Sequence, residues 1–403
     1  MYKQFRTLLN KAISAAKEND KPFYLALLYN KALTSVATDY YSEDDVLDYE
    51  MLKKETLENL KVLNINEQYH ILYNDMFMFT KKTGSIRDEK DLGRLNEIIK
   101  NPLLQNESNA VSFDAKFKYY TILGHYYRIT GDNESWIKYR HRLVKLMESG
   151  KKYIKENPRS YIMALNNYLN ACILTKNFGD FDKTLDRLKK FSKQFEGKKE
   201  FLEMQSRVFL LVSDLELNYC IKTNRFENLI KLINDAESGF VKFGIKIAES
   251  RKISLYNRIA YAAFLTGDYD KSIYYLNRII NLNNPAIEPE QHIFARIRSL
   301  IVHYEAGNFD LLEYSIKSTK RFLEKNKRIF RFEKLIMKFI SEAVNYPEES
   351  DRKELYKKLK NDITGLMNDR FEKNVLEQFD FLSWTESKIK KITMPEMLKL
   401  KAA

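Results

Sequence analysis

The clearest alternation of hydrophobic and polar positions lies between residues 251 and 285. Apolar residues first recur there at three- and four-residue spacing, which places them on one face of a helix. They are Tyr256, Ile259, Ala260 and Ala263. A second apolar set with helical spacing follows a polar break, and it comprises Tyr269, Ile273, Leu276 and Ile279. The pattern predicts two amphipathic helices joined by a short turn.

The break between the two helices is Gly267-Asp268. Glycine tolerates the left-handed backbone that ends a helix, and aspartate caps the start of the next helix. Neither helix can bury its apolar face alone, so the pair is expected to stack on neighbouring pairs. Related turns recur along the chain, at Gly131, Gly179, Asn224, Gly267 and Gly307.

These units resemble the tetratricopeptide (TPR) family. The matching positions are an aromatic in the first helix, a turn glycine, a second aromatic, a small residue and a closing proline. They are occupied by Tyr256, Gly267, Tyr269, Ser272 and, one residue late, Pro285. Trp136 stands where the family has a small residue, so packing is expected to differ in that hairpin. The hairpins are longer than the roughly 34 residues of a strict TPR unit, which makes them divergent members.

The resemblance implies an all-α, TPR-like α-solenoid, a right-handed superhelix of antiparallel helix pairs. We divide it into an irregular helical N-terminal part (1–110), TPR-like hairpins (111–326) and C-terminal helices that cap the solenoid (327–403). The tail, with its sequence FDFLSWTESKI, resembles the end of uncharacterised bacterial helical-repeat proteins. That second resemblance implies no activity.

Composition agrees with long helices, because 403 residues contain only 12 Gly and 7 Pro and are 44% hydrophobic. Cys172 and Cys220 lie within helical patterns and are expected to be buried and unpaired. The N-terminal residues lack a signal-peptide core, and no apolar run is long enough for a bilayer. A cytoplasmic protein without a membrane partner is the expectation.

The sequence contains none of the familiar catalytic constellations. Its five histidines do not form metal-ligand spacings, and its glycines are isolated turn residues without a phosphate-binding loop. We therefore expect no enzyme activity, no metal and no cofactor.

The net charge of +13 has one local concentration, between Lys317 and Lys338. The basic segment comprises Lys317, Lys320, Arg321, Lys325, Lys327, Arg328, Arg331 and Lys334, together with Lys338. Phenylalanines are interleaved with these cations. One interpretation is a site for nucleic acid or an acidic partner, since basic side chains release counterions from phosphates. The other is a hairpin corner whose aromatics pack inward while its charges face water.

The TPR resemblance also implies a concave face lined by the first helix of each hairpin. Carrying the family's groove positions across gives a candidate peptide-binding set of Lys118, His125, Arg128, Asn166, Lys176, Asn218, Lys222, Asn257, Tyr261 and Tyr304. Asparagines would bond a peptide backbone, and aromatics would take its apolar side chains. The leading hypothesis is therefore a non-catalytic scaffold for a protein or peptide. The alternatives are a nucleic-acid- or ribosome-associated protein and a peptide-responsive regulator.

Overall fold

A computed structural model describes residues 2–38, 43–83, 86–244, 247–282, 289–346, 352–369, 371–372 and 379–402. All regular structure within these ranges is helical, without a strand. The predicted all-α class is confirmed, and consecutive helices pack against one another in pairs. In the same ranges, no helix combines the length and apolar character needed to cross a membrane.

The α-helices follow one another with short connections. They are α1 (Tyr2–Glu18), α2 (Pro22–Thr38), α3 (Glu43–Thr83), α4 (Glu89–Ile99), α5 (Phe113–Thr130), α6 (Asn133–Glu148), α7 (Lys151–Glu156), α8 (Pro158–Leu174), α9 (Phe181–Lys193), α10 (Leu202–Lys222), α11 (Leu229–Phe243), α12 (Glu249–Leu265), α13 (Tyr269–Ile280), α14 (Pro289–Glu305), α15 (Phe309–Lys325), α16 (Arg331–Ala343), α17 (Lys353–Met367), α18 (Phe381–Lys390) and α19 (Met394–Ala402).

Most predicted turns have the expected local chemistry. Gly131, Gly267 and Gly307 adopt left-handed backbone with φ of 79°, 81° and 74°. Asp268 then caps α13 by accepting a 3.0 Å hydrogen bond from the backbone N–H of Lys271. The prediction for Gly179 is wrong in detail, because Lys176 is the left-handed residue of that turn, with φ of 54°.

The chain forms two compact units. Unit 1 comprises Met1–Lys82 and Lys90–Ala164, and unit 2 comprises Thr83–Glu89 and Leu165–Ala403. The sequence-based division at residues 110 and 326 stays a prediction about the repeat pattern.

Unit 1 contains an N-terminal helix pair and the first TPR-like hairpin. Helices α1 and α2 bury Leu9, Ile13, Leu25 and Tyr29 between them. The hairpin α5–α6 is packed through aromatic rings, including Tyr127 stacked on Tyr139 at 5.4 Å between ring centroids. Aromatic packing thus supplies much of the burial in this hairpin.

Unit 2 has one continuous hydrophobic core that runs from α10 to α19. Helix α12 is buried nearly all round, and Ile259, Ala260 and Leu276 of the hairpin α12–α13 are fully buried. Ser272 fits the small-residue position, because its buried hydroxyl donates a 2.8 Å hydrogen bond to the carbonyl of Ala260. Cys172 and Cys220 are buried and unpaired, as predicted.

A buried ion network attaches the segment Thr83–Glu89 to unit 2. The guanidinium of Arg87 donates to Glu333 at 3.1 Å and to Glu372 at 2.8 Å, and all three side chains are at most 7% exposed. Glu372 also accepts the backbone N–H of Arg331 at 3.2 Å. Burial raises the pKa of Glu333, and Arg87 opposes that shift. The network therefore depends on the arginine for charge balance.

We predict that Arg87→Ala destabilises unit 2 by roughly 3–5 kcal/mol at neutral pH, because it leaves two buried carboxylates without their cation. The loss should shrink in mildly acidic solution, since protonated carboxyls no longer bury a charge. Urea unfolding in a Trp136→Phe background, where Trp384 is the sole tryptophan, measures both effects by fluorescence.

The matched control is Arg251→Ala, which removes an arginine that is 51% exposed and 3.0 Å from Glu203. Exposed pairs of this kind contribute at most about 1 kcal/mol. Equal losses in the two variants would contradict the assignment of Arg87 as the buried balancing charge.

Candidate binding sites

The predicted peptide-binding set is divided between the two units. Lys118, His125 and Arg128 lie in unit 1, and the remaining members lie in unit 2.

The aromatic members of the set are covered by the C-terminal part of the chain. Tyr261 packs against Phe379 at 5.1 Å between ring centroids and is 5% exposed. Tyr304 is 4% exposed, and its hydroxyl lies 2.7 Å from that of Tyr356. The expectation that these two side chains line an open groove is wrong, because the tail folds over them.

Helix α18 completes this cover with one aromatic anchor. The indole N–H of Trp384 donates to Glu305 Oε1 at 2.7 Å, and Lys388 Nζ lies 2.6 Å from the same carboxylate. Trp384 also contacts the ring of Tyr304 edge-on at 6.4 Å. The faces of α12 and α14 that the family leaves open are thus part of the core here.

The asparagines of the set are also internal. Asn166, Asn218 and Asn257 are all buried. Asn257 donates to Gln291 Oε1 at 2.8 Å, and its carbonyl accepts from Arg298 at 2.8 Å. Their expected surface location is therefore wrong, because all three side chains are buried and that of Asn257 hydrogen-bonds within unit 2.

The lysines of unit 2 are more accessible but do not share one surface element. Lys222 lies in the last turn of α10 and is half-buried. Lys176 is exposed in the turn after α8, beyond the helix whose face was expected to carry it. Peptide binding by these two residues stays a prediction.

The unit 1 members lie on α5. Lys118 forms an ion pair with Asp114, and Arg128 is exposed above the ring of Trp136, 5.9 Å from its centroid. His125 is half-buried against Phe77, with ring centroids 4.8 Å apart. Desolvation, followed by the charges of Arg140 and Arg128, holds the pKa of His125 well below its usual value.

Arg140 is a residue that the sequence-based set missed. It is fully buried beside His125, with its guanidinium against the backbone of Gly124. The signal was present, because α6 carries an arginine at a position that is apolar in other hairpins. Comparing hairpins position by position would have found it.

Several cations of the basic segment form ion pairs or hydrogen bonds within the chain. Arg331 pairs with Asp369 at 3.1 Å, Lys317 with Glu313 at 2.5 Å and Lys338 with Glu342 at 3.7 Å. Arg328 donates to the carbonyl of Thr83 and is therefore structural. Four of its cations are exposed and form no ion pair within the described ranges: Arg321, Lys325, Lys327 and Lys334.

A groove of about 530 Å³ lies between α15 and α16. Ile316, Ile329 and Met337 supply its apolar lining. Its polar lining comprises Lys320, Lys334, Lys338, Glu324 and Ser341, and Lys320 Nζ lies 3.9 Å from Glu324 Oε1. A groove of this kind combines apolar contact with positive charge in one place.

No metal-binding arrangement is formed by the residues that the structure describes, since no three of their histidine, cysteine and acidic side chains converge. His292 and His303 have lowered pKa values, with burial as the main cause. His292 is fully buried, and neither ring nitrogen has a hydrogen-bond partner. These histidines are neutral packing groups at pH 7.

No protein-family profile matches the chain. No curated protein is significantly similar to it. A solved structure described as a Rap protein complexed with competence and sporulation factor is similar over 100% of both chains, with 11% identity and a TM-score of 0.47. This similarity is too distant to support an argument about a ligand or an activity.

We predict that Trp384 is shielded from solvent in the folded protein. In the Trp136→Phe variant, Trp384 is the sole tryptophan, because the sequence contains two. Its emission should be blue-shifted and poorly quenched by iodide, with normal quenching after unfolding in urea. Quenching in the native protein as strong as that of free tryptophan amide would contradict the cover over Tyr304.

We predict that the stability of unit 2 falls as the pH drops through about 6.5, the ordinary histidine pKa. A histidine with a lowered folded-state pKa leaves the unfolded state with more bound protons in this range, so acid favours unfolding. The loss should be complete once the pH is below the folded-state pKa values. Urea titrations between neutral and mildly acidic pH, followed by Trp384 fluorescence, measure it.

His292→Leu is the decisive variant for this effect. It removes two buried nitrogens without partners, so the free energy of unfolding at pH 7 should rise or fall by no more than about 1 kcal/mol. The decline of stability with acid should become shallower. An unchanged pH slope would contradict the assigned burial of a neutral imidazole.

Proposed function

We propose that the protein is a non-catalytic scaffold that binds a protein or peptide segment, and that the groove between α15 and α16 is its binding site in unit 2. The ligand is an acidic segment that also carries apolar side chains. The concave-face site first inferred from the TPR resemblance is replaced by this one in unit 2, since Tyr261 and Tyr304 lie under the tail.

The observation that carries the proposal is the chemistry of the groove. Ile316 and Met337 offer an apolar floor for side chains of the partner. Lys320, Lys334 and Lys338 line the same groove, and each is exposed to solvent. An amphipathic helix with acidic flanks matches both properties, because it presents apolar anchors at helical spacing with carboxylates beside them.

The surrounding charge favours an acidic partner. Arg321, Lys325 and Lys327 are exposed near the corner between α15 and α16. The whole chain carries a net charge of +13. Clustered positive charge accelerates association with an acidic molecule and makes it sensitive to salt. A rigid helical surface further reduces the ordering cost of binding.

Nucleic acid is the second candidate, and the exposed cations of the corner favour it. The two ligands differ in what they require. A nucleic acid needs the cations for its phosphates, whereas the amphipathic peptide also needs the apolar floor. Binding that depends on Ile316 therefore distinguishes the peptide from RNA.

We predict that a fluorescein-labelled helical peptide of glutamates and leucines binds the full chain and that Lys320→Glu/Lys334→Glu/Lys338→Glu weakens it at least tenfold. Repulsion replaces attraction at the groove in this variant. Ile316→Ser should also weaken the peptide but leave RNA unaffected. Fluorescence anisotropy with the peptide and with a labelled single-stranded RNA measures these affinities.

The control variant changes the net charge by the same amount as the groove variant, at exposed lysines of α9 and α11. Its substitutions are Lys183→Glu/Lys190→Glu/Lys231→Glu. It should bind the peptide more tightly than the groove variant does. Equal weakening by both triple variants would show that the loss of affinity follows net charge alone. It would refute the groove as the binding site. RNA binding that is lost only when Arg321, Lys325 and Lys327 are reversed would support the second candidate.

A further inference from the structure

The hairpin α5–α6 of unit 1 departs from the other hairpins at one core position. Arg140 lies seven residues after the start of α6. Leu188 in α9 and Leu276 in α13 occupy the same position and are fully buried. Ile316 is its counterpart in α15. A charged side chain thus stands where the repeated architecture places an aliphatic one.

Arg140 is buried without compensation. Its side chain is 2% exposed, and its Nε and one terminal nitrogen have no hydrogen-bond partner. No carboxylate among the described residues pairs with it. Burial lowers the pKa of Arg140 to about 9, so the ionised form is destabilised yet still dominant at neutral pH.

The backbone makes room for this guanidinium. Gly124 in α5 faces it, and a Cβ at that position would lie 2.9 Å from both Cζ and Nε of Arg140. The corresponding residue of the hairpin α12–α13 is Ala260. Replacing that alanine by glycine is what allows the arginine to enter the layer between the helices.

A second unpaired donor lies one helical turn away. Trp136 precedes Arg140 by four residues on α6, so the two side chains share a face. Trp136 is 3% exposed, and its Nε1 has no acceptor. Its counterpart Ser272 instead donates to a carbonyl within its own hairpin. Both departures from the repeat therefore place a buried donor without an acceptor among the described residues.

The other groups around this face are cationic or aromatic. Arg128 lies above Trp136, and His125 is held neutral by its own burial and by the neighbouring guanidinium groups. Phe77 contacts His125, and Tyr73 contacts Phe77 at 4.6 Å between ring centroids. Arg140 and His125 thus lie beside aromatic residues of α3.

Buried polar groups in folded proteins are nearly always hydrogen-bonded, and an unpaired buried charge is strongly destabilising. A group that supplies acceptors and one negative charge would resolve both defects. Arg140 is the only fully buried cation of this cluster, because Arg128 is exposed and His125 is neutral. A monoanion balances the site, whereas a dianion would leave a buried negative charge.

We propose that this junction of α3, α5 and α6 binds the carboxylate of a small organic acid, which accepts hydrogen bonds from the Arg140 guanidinium and the Trp136 indole. The aromatic rings of Tyr73 and Phe77 favour an apolar substituent on that acid. The site lies in unit 1. The test of this site is therefore independent of the test of the groove between α15 and α16.

The test uses the full chain with Trp384→Phe, so that Trp136 is the only tryptophan. Sodium acetate and sodium benzoate are titrated against sodium chloride at matched ionic strength. We expect saturable changes in Trp136 fluorescence and a thermal midpoint raised by several degrees, with benzoate effective at lower concentration than acetate. Sodium phosphate serves as the dianionic comparison, and a stronger response to phosphate would overturn the carboxylate assignment.

The variant Arg140→Met keeps the length of the side chain and removes the charge. We expect it to abolish the response to benzoate and to raise the thermal midpoint in chloride alone, because an uncompensated charge has left the core. Arg140→Lys keeps the charge without the planar donor fork and should reduce the benzoate affinity at least tenfold.

The control is Arg142→Met on the same helix, which removes an arginine that is 43% exposed and paired with Glu107 at 2.7 Å. It should leave the benzoate response intact. The proposal is overturned if the parent protein gives no saturable carboxylate response, or if Arg140→Met retains it. A lower midpoint for Arg140→Met in chloride would also overturn it, since that would make the arginine a stabilising structural group.

Discussion

A pair of amphipathic helices cannot bury its own apolar face, and unit 2 is built around that constraint. Helix α12 is covered by neighbours on nearly every side, which is possible only because further helices follow it. The C-terminal tail also buries apolar faces that the helix pairs leave exposed. Phe379 and Trp384 cover aromatic residues of α12 and α14 that would otherwise face water. These faces of α12 and α14 are thereby part of the core of unit 2.

Two buried arginines illustrate how differently a charge can be accommodated. Arg87 lies between Glu333 and Glu372, so its burial completes a network that also binds the start of α16. Arg140 faces Gly124, and no carboxylate of the described residues pairs with it. Both side chains are buried, but only Arg87 pairs with carboxylates among the described residues. This contrast separates a structural ion network from a candidate ligand site.

The local parts of the fold were predictable from sequence, and the long-range parts were not. Helical spacing and the Gly267-Asp268 signal depend on a few neighbouring residues, so they identified the hairpin α12–α13 correctly. The position of the tail depends on contacts across many residues, and no local pattern indicated that Tyr304 would be covered. Arg140 was overlooked because a lone charge inside an amphipathic pattern resembles a solvent-facing residue. Its burial becomes visible only when the hairpins are compared position by position.

The central claim is that the tail belongs to the core of unit 2 and closes the faces of α12 and α14. Amide hydrogen exchange followed by mass spectrometry tests it most directly, because protection requires both a hydrogen bond and exclusion of water. The account predicts that peptides from α12, α14 and α18 exchange slowly and gain exchange together as urea is added. Rapid exchange of α18 in the native protein, with α12 still protected, would contradict it.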